Sequence, residues 1–200
     1  MNLLQPWNTV YFVGFVIYFG TRHVFIQRTK HEAKAVCRMD AQEKMLLGAM
    51  VPGTIALPLL YLFTPLLNFA NYALPTPVLG AGLLMLLGSL LLFWRSHADL
   101  GRNWSVSLEL REKHELITRG VYHHVRHPMY LSIWLWVLGQ GMLLQNWLAG
   151  WTMLPAFATM YCLRTPREEQ LMCEQFGDAY RSYMQQTGRL LPRWRAVRDK

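Results

Sequence analysis

The chain has 200 residues, of which 52% are hydrophobic and only 16% are charged. An average soluble domain carries about 25% charged residues, so this composition, with its apolar residues gathered into long runs, indicates a membrane protein. The formal net charge is +8, but its distribution along the chain is typical of the positive-inside bias and disfavours nucleic-acid binding. We therefore predict the lipid bilayer as a partner and no nucleic acid.

Three apolar runs in the first half of the chain are long enough, or nearly so, to cross a bilayer as helices. They cover residues 9–26, 45–63 and 78–94, and a bilayer core of about 30 Å takes roughly 20 residues, with about 17 as a minimum. Pro52 and Pro58 lie in the second run, where we expect a kink whose freed carbonyls find partners on neighbouring helices. Glycines in the third run indicate close helix packing rather than a ligand site.

Two further apolar runs, residues 129–144 and 147–163, are clearly separated only by Gln145 and Asn146. Helices joined by so short a link lie antiparallel, so we predict a hairpin whose two outer ends are adjacent. Gln140 is a polar residue deep in the first of these helices, and we interpret it as an interhelical hydrogen-bonding group. Its two flanking glycines are interpreted as packing positions. The prediction is an all-α integral membrane bundle of about five transmembrane helices.

The basic residues predict the orientation of this bundle. All Lys and Arg residues except Arg22 lie in three polar stretches, residues 27–44, 95–128 and 164–200, and the remaining connections hold none. The positive-inside rule therefore puts the N-terminus outside and the C-terminus in the cytosol. The second and third polar stretches would then share the cytosolic side.

Polar motifs flank the predicted hairpin on that side. The segment before it reads Gly120-Val121-Tyr122-His123-His124-Val125-Arg126-His127-Pro128-Met129-Tyr130, and the segment after it contains Arg164-Thr165-Pro166-Arg167-Glu168-Glu169 and Phe176-Gly177-Asp178-Ala179-Tyr180. Because the hairpin brings its outer ends together, Tyr130 is expected close to Arg164 and to the Glu168-Glu169 pair. His, Tyr, Arg and Glu side chains would gather at the membrane surface beside apolar helices.

Each motif taken alone also has a simpler interpretation. Arg126 and Arg164 at helix ends are explained by snorkelling to lipid headgroups, and the paired glutamates by a solvated helix start. Three histidines lie close together in sequence, but Pro128 disfavours a helix at the last of them and no acidic or thiol ligand is nearby. Three cysteines without a CxxC pair predict no disulfide and no thiolate site. We expect no metal.

Taken together and in order, the motifs G-x-Y-x-x-x-R-H-P-x-Y, R-x-x-x-E-E and F-G-x-x-Y around an apolar hairpin resemble the isoprenylcysteine carboxyl methyltransferase family. They are also similar to the wider group of small membrane methyltransferases that includes the phospholipid N-methyltransferases. The resemblance covers about residues 95–192, and Leu100-Gly101-Arg102-Asn103-Trp104-Ser105 is similar to the prokaryotic branch. Eukaryotic members have more helices and a glutamine upstream of His114, where this chain offers Ser107 and Glu109.

The resemblance implies S-adenosylmethionine as the cofactor and an arginine, here Arg164, that faces the carboxylate of the substrate. It makes Tyr130 and Arg126 further catalytic candidates. The cofactor contacts that it implies are His114, Glu115, Leu116, Ile117, Tyr122, His127, Pro128, Met129, Tyr130, Glu168 and Glu169.

These residue types suit the chemistry that the resemblance implies. Glu168 offers an acid for the ribose hydroxyls or the ammonium of S-adenosylmethionine, and His127 offers a donor for its carboxylate. Leu116 and Ile117 offer an apolar wall for its adenine. A carboxylate acceptor is already ionised at pH 7 and needs no general base, so the protein must align the reactants and exclude water. Such alignment lowers a barrier by about 7–11 kcal/mol in favourable cases, and an arginine fork orients a carboxylate through two bonds.

We therefore predict an S-adenosylmethionine-dependent methyltransferase with a lipophilic acceptor, the carboxylate of an isoprenylcysteine-like substrate being the first choice. A phospholipid amine or small thiol is the alternative and would need a base such as His123 or His124. A non-enzymatic haem or metal-binding protein is the second alternative. A transporter is disfavoured, because no charged residue lies deep in a predicted helix and no inverted repeat is visible.

The predictions divide the chain at residue 94. Residues 1–94 would form transmembrane helices 1–3, and residues 95–200 a catalytic region with helices 4–5 and a cytosolic C-terminal helix. The predicted location is a membrane, the plasma or inner membrane if the source is prokaryotic, with the active site facing the cytosol. The sequence leaves the oligomeric state open.

Overall fold

The structure is a computed structural model, and it describes residues 2–29, 34–37, 41–101, 109–111 and 115–193, with the backbone alone for 34–37 and 109–111. Within these ranges the fold is built from helices, as predicted. The helices are α1 (Pro6–Thr29), α2 (Ala41–Phe63), α3 (Thr76–Leu100), α4 (Pro128–Leu144), α5 (Trp147–Trp151), α6 (Met153–Phe176) and α7 (Asp178–Gln186).

A small antiparallel ribbon accompanies the helices and was not predicted. It pairs β1 (Lys34–Cys37) with β2 (Glu109–Arg111). Each strand belongs to one of the basic polar stretches, so the ribbon joins the connection before α2 to the connection after α3. This pairing supports the prediction that both connections lie on one side of the bundle.

Three helices, α1, α2 and α3, are long and apolar enough to cross a membrane among the residues that the structure describes. The apolar helix α4 has 17 residues, which is close to the minimum of about 17 for a bilayer core. The predicted class, a helical integral membrane bundle, is confirmed. The count of five spans, the orientation and the division of the chain at residue 94 stay predictions, and α3 itself continues past that division to Leu100.

The packing of α3 against α4 forms the centre of the bundle. Ser89 Oγ donates to the carbonyl of Ser132 at 2.7 Å, and a Cβ on Gly82 would lie only 2.7 Å from that of Met142. This close approach confirms the predicted packing role for Gly82. At Gly80 the prediction is wrong, because a Cβ there would meet no atom of the described residues within 4 Å.

Gln140 is a buried hub that connects four helices. Its Oε1 accepts from Tyr11 Oη and from Trp136 Nε1, each at 3.0 Å, and its Nε2 donates to the carbonyls of Gly53 and Ala149, each at 2.8 Å. The predicted interhelical role is confirmed. The Gly53 carbonyl lies in a π-helical turn of α2, Pro52–Ala56, so Gln140 also supplies the partner that the predicted proline irregularity requires.

The hairpin turn between α4 and α5 has the predicted two-residue length. Gln145 adopts a left-handed conformation with φ 48° and ψ 39°, and Asn146 Oδ1 accepts from the backbone N–H groups of Leu148 and Ala149. The Asn146 side chain also donates to the carbonyl of Leu67 at 2.7 Å. The connection between α2 and α3 therefore holds the turn in place.

The second helix of the predicted hairpin is divided into α5 and α6, and α6 continues beyond the predicted apolar run. The run ends near Leu163, but α6 extends to Phe176, and Gly177, with φ 54°, separates it from α7. The cytosolic C-terminal helix that the sequence predicted therefore corresponds to the end of α6 and to α7. Because α6 extends through Pro166 to Phe176, Arg164 lies one turn before the adjacent pair Glu168 and Glu169 on the same helix.

Candidate functional site

The side chains that the sequence predicted to meet at the outer end of the hairpin do meet. Tyr130 Oη, from the first turn of α4, donates to Glu168 Oε1 at 2.7 Å. Arg164 Nε donates to the same oxygen at 2.9 Å. Tyr130 and Arg164 are buried, whereas the Glu168 side chain is 25% exposed, so Glu168 is the member of this trio best placed to meet a ligand.

The other side of Arg164 is occupied by a residue that sequence reasoning missed. Arg164 Nη1 lies 2.9 Å from Glu43 Oε1, and the Glu43 side chain is only 1% exposed. Next to it, Gln42 Oε1 accepts from Arg167 Nη2 at 2.6 Å. The first turn of α2 thus docks on α6 through two adjacent residues.

The signal that points to Glu43 is topological. It is an acid in the first turn of an apolar helix, on the side where the basic connections lie. Burial alone would lower the pKa of Arg164, but Glu168, Tyr130 and Glu43 raise it above the ordinary value. The guanidinium therefore keeps its charge between two carboxylates.

A second cluster surrounds Glu169. Its carboxylate accepts from Arg126 Nη2 at 3.0 Å and from Arg189 Nη2 at 2.6 Å, and His127 Nε2 lies 3.3 Å away. Burial opposes ionisation of Glu169, but the bonds from His127, Arg189 and Arg126 outweigh it and lower its pKa to about 2. Glu169 is therefore a buried carboxylate held by surrounding cations. Arg189 was not among the predicted residues.

Arg126 connects this cluster to the C-terminal segment. Its Nη1 donates to the carbonyls of Met184 and Thr187, and its backbone N–H donates to the carbonyl of Gly188 at 2.9 Å. Both the side chain and the backbone of Arg126 are engaged with the protein. These contacts favour a positioning role for Arg126 over the catalytic role that the sequence suggested.

His127 lies between the two clusters. Its Nδ1 is 3.8 Å from Glu168 Oε2, while its Nε2 faces Glu169 Oε1. His123 and His124 are exposed, with ring centroids 5.2 Å apart. Among the described residues, no group of three His, Cys, Asp or Glu side chains is arranged to hold a metal ion.

The loop before α4 is anchored by Asp99, another residue that the sequence analysis did not single out. Asp99 Oδ2 accepts from the backbone N–H of Val121 at 2.8 Å, and Tyr183 Oη donates to the carbonyl of Tyr122 at 2.5 Å. Burial, followed by the proximity of Tyr183, Glu168 and Asp99, raises the pKa of Tyr122 well above its ordinary value. Tyr122 therefore lies within electrostatic reach of Glu168 and keeps its proton.

The remaining predicted cofactor residues lie at the start of α4 and in the segment before it. Pro128 is buried and Met129 half-buried at the start of α4, where Met129 packs against the core. Ile117 is buried, Leu116 is half-buried and Glu115 is exposed. His114 and Ser107 lie outside the described residues, and of Glu109 only the backbone is described.

The fold and the site together define a helical membrane protein with ionised side chains gathered at one end of an apolar hairpin. Residues 81–174 match the sequence model of the isoprenylcysteine carboxyl methyltransferase family. The matched segment runs from within α3 to within α6, and the resemblance predicted from the motifs is confirmed.

Curated relatives carry the corresponding name. The protein-S-isoprenylcysteine O-methyltransferase of Schizosaccharomyces pombe is 33% identical over 122 residues, which is 59% of this chain and 49% of that protein. The protein of the same name from Rattus norvegicus is 30% identical over 56% of this chain and 40% of its own length. The chain spans about half or less of the length of these two relatives.

A solved structure has the same overall fold. It is the eukaryotic intramembrane Ras methyltransferase isoprenylcysteine carboxyl methyltransferase, with a TM-score of 0.59 and 22% sequence identity. The similarity covers 96% of this chain and 69% of that one. The helical membrane architecture is therefore shared well beyond the segment that the family model matches.

Proposed function

We propose that this protein is an S-adenosylmethionine-dependent methyltransferase whose acceptor is the carboxylate of an isoprenylcysteine-like lipophilic substrate. The observation that carries the proposal is the bond between the buried Arg164 guanidinium and the partly exposed Glu168 carboxylate at the end of an apolar hairpin. The family match of residues 81–174 and the names of the relatives support this reaction class.

The described side chains fit the chemistry of this cofactor. Glu168 offers a partly exposed carboxylate for ribose hydroxyls or an ammonium, and the His127 ring lies beside it. Ile117 and Leu116 offer apolar surface, and Tyr122 lies within electrostatic reach of Glu168. When bound, S-adenosylmethionine would supply an electrophilic methyl group for direct transfer.

The protein's own part in the reaction is orientation. Arg164 is a fixed cation that would bind the acceptor carboxylate, and a guanidinium holds a carboxylate in a defined plane. Tyr130 and Glu168 are held by one another, so they lose little side-chain freedom when ligands bind. An ionised carboxylate needs no base, which agrees with a site whose tyrosine and arginine side chains keep their protons.

The route of the substrate follows from the position of the site. α4 is apolar along its length, and Tyr130 lies in its first turn. A lipophilic acceptor would enter from the bilayer between helices, whereas a polar cofactor would enter from the water on the side of the basic connections. Under the positive-inside rule this side is the cytosol, so we infer a cytosolic interfacial active site in an integral membrane protein.

The direct test is methyl transfer by the purified protein in detergent or lipid nanodiscs. Labelled S-adenosylmethionine would be supplied with an N-acetylated S-prenylcysteine, with the same compound carrying a carboxamide, and with amine and thiol lipids. Methylation of the free carboxylate alone is the expected result. Transfer to the amine or thiol lipid instead would establish the alternative acceptor, and no transfer to any of them would overturn the proposal.

A second readout separates binding from transfer. Calorimetric titration of S-adenosylmethionine into wild type and Glu168→Ala is expected to give at least a tenfold weaker affinity for the variant. Glu174→Ala on the same helix removes an exposed carboxylate and is the matched control, with wild-type affinity expected. Equal affinity of Glu168→Ala and wild type would exclude Glu168 from the cofactor site.

A further inference from the structure

Glu43 is a side chain of α2 that reaches the proposed active site, and neither the family motifs nor the matched segment 81–174 includes it. Its carboxylate is buried to 1% exposure and lies 2.9 Å from Arg164 Nη1. Arg164 is in turn bonded through Nε to Glu168. The guanidinium is therefore held between a carboxylate from α2 and one from its own helix.

This geometry restricts the guanidinium in a specific way. A side chain held only by the hydrogen bond from Nε keeps freedom to tilt, but the ionic contact between Nη1 and a carboxylate on a different helix restricts that tilt. The two partners differ in exposure, since Glu168 is 25% exposed and Glu43 is not. Glu168 can therefore face a ligand while Glu43 remains behind the arginine.

Helix docking alone does not account for this contact. The neighbouring Gln42 already joins α2 to α6 through Arg167, in an exposed hydrogen bond of 2.6 Å. A buried ion pair contributes little net stability compared with apolar packing, because both charges lose their hydration. A buried carboxylate on the one arginine that would meet the substrate points to a role in orientation.

We propose that Glu43 is a positioning residue that fixes the Arg164 guanidinium for the acceptor carboxylate, an inference that rests on the proposed function. Glu43 does not touch the reacting atoms. It acts by keeping Arg164 in the plane in which the acceptor oxygen is aligned for transfer. The first half of the chain, outside the matched segment, would thereby complete the active site.

The inference predicts opposite effects on turnover and on acceptor binding. In Glu43→Gln the shape of the side chain is kept but one negative charge beside Arg164 is lost, so an anionic acceptor is attracted at least as strongly as before. The acceptor carboxylate is aligned less well for transfer, because the Arg164 guanidinium that orients it is held less firmly. We therefore expect kcat to fall at least about tenfold while the KM for an N-acetylated S-prenylcysteine stays unchanged or decreases.

Two variants control for a merely structural effect. Glu43→Asp keeps the charge and should recover part of the lost kcat, whereas Gln42→Ala removes the adjacent contact between α2 and α6 and should keep wild-type kcat. Binding of S-adenosylmethionine should change much less than kcat in all three variants, because Tyr130 still holds Glu168 when Arg164 tilts. The thermal midpoint of each purified variant in the same detergent identifies any loss of folding.

The outcomes separate this inference from the proposed function. An active wild type together with wild-type kcat in Glu43→Gln would overturn the role of Glu43 alone. A raised KM at constant kcat, or an equal loss in Gln42→Ala, would also overturn it, because these results indicate simple binding or simple docking. A wild type that methylates no acceptor would overturn the proposed function, and the role of Glu43 with it.

Discussion

The hydroxyl of Tyr130 and the carboxylate of Glu168 are joined by a 2.7 Å hydrogen bond that spans 38 residues of sequence and closes the end of the hairpin. The same carboxylate oxygen also accepts from Arg164 Nε at 2.9 Å. Glu168 is therefore oriented from α4 and from α6 together. A cofactor role for Glu168 and a substrate role for Arg164 cannot be tested as if the two side chains were independent.

The shared oxygen predicts that Tyr130→Phe weakens cofactor binding through Glu168. A hydrogen bond to a charged group contributes about 1.5–3 kcal/mol, and 1.4 kcal/mol corresponds to a tenfold change in affinity. We expect a roughly tenfold weaker affinity for S-adenosylmethionine in Tyr130→Phe, measured by calorimetry in detergent. In a Glu168→Ala background the same change should have less than about a twofold effect, because the bond is already absent.

A neighbouring tyrosine provides the control for this double-mutant cycle of Tyr130→Phe and Glu168→Ala. Tyr161 packs edge-on against Tyr130, with ring centroids 5.6 Å apart. Tyr161→Phe changes the same aromatic cluster without removing the bond to Glu168, so its cofactor affinity should match wild type. Additive effects of Tyr130→Phe and Glu168→Ala would show that Tyr130 acts on the cofactor by a separate route.

The lowered pKa of Glu169 predicts that the protein loses stability in acid. Burial disfavours its ionised form, but His127, Arg189 and Arg126 outweigh this effect and lower its pKa from the ordinary 4.5 to about 2. Since the folded pKa lies below the unfolded one, the stabilisation is complete above about pH 4.5 and disappears as the pH falls towards 2. A shift of this size corresponds to roughly 3 kcal/mol.

The measurement is the free energy of unfolding in detergent between pH 6 and the acid limit of the detergent system. Wild type should lose stability over this window, while Glu169→Gln should start lower and depend less on pH. Glu174→Gln is the control, because Glu174 is exposed on the same helix and accepts from Gln170. An identical pH slope in Glu169→Gln and wild type would contradict the assignment of the acid transition to Glu169.

The sequence was sufficient to predict the contact between α4 and α6 because a two-residue link leaves antiparallel helices no other arrangement. Tyr130 lies in the first turn of α4, and Glu168 lies in the part of α6 beyond its apolar run, so their approach is a matter of chain geometry. The role of Gln140 was predictable for a similar reason, since a buried amide must find partners. Which partners it finds depends on helices far away in sequence.

The residues that escaped prediction are joined to their partners by no short helix link and by no local motif. Glu43 meets Arg164 from another helix, Asp99 caps the loop at Val121, and Arg189 returns from the C-terminal segment to Glu169. In none of these pairs are the two residues brought together by a short turn like the one between α4 and α5. The end of α6 was misplaced for a different reason, because hydrophobicity marks where a helix leaves the apolar layer and not where its backbone hydrogen bonding stops.

The Gln140 hub predicts a loss of stability when its amide is replaced. Four hydrogen bonds connect it to Tyr11, Trp136, Gly53 and Ala149, and such bonds average about 0.6 kcal/mol each in a membrane protein where they have been measured. Gln140→Leu should therefore lower the unfolding free energy by about 2 kcal/mol in a denaturant titration. Tyr11→Phe should lower it by about 0.6 kcal/mol and add little in the Gln140→Leu background.

Alanine substitutions at two glycines with positive φ can distinguish the effect of backbone strain from damage to the site. Gly101 and Gly120 have φ of 54° and 62°, but a Cβ on Gly101 meets no atom of the described part of the chain within 4 Å, whereas a Cβ on Gly120 overlaps the Asp99 carboxylate. Alanine at either position carries the strain of a left-handed backbone, about 1–3 kcal/mol. Only Gly120→Ala also displaces Asp99 from the N–H of Val121.

The comparison predicts that both variants lose stability, and that Gly120→Ala alone loses cofactor affinity. Displacing Asp99 frees the loop that carries Tyr122, whose carbonyl is held by Tyr183, and a loosened loop raises the entropy lost on binding. Thermal midpoints and calorimetric affinities for S-adenosylmethionine, measured on both purified proteins, test this separation. If Gly101→Ala weakened the affinity as much as Gly120→Ala, general strain would explain both results, and Asp99 would have no specific part in ordering the loop beside Glu168.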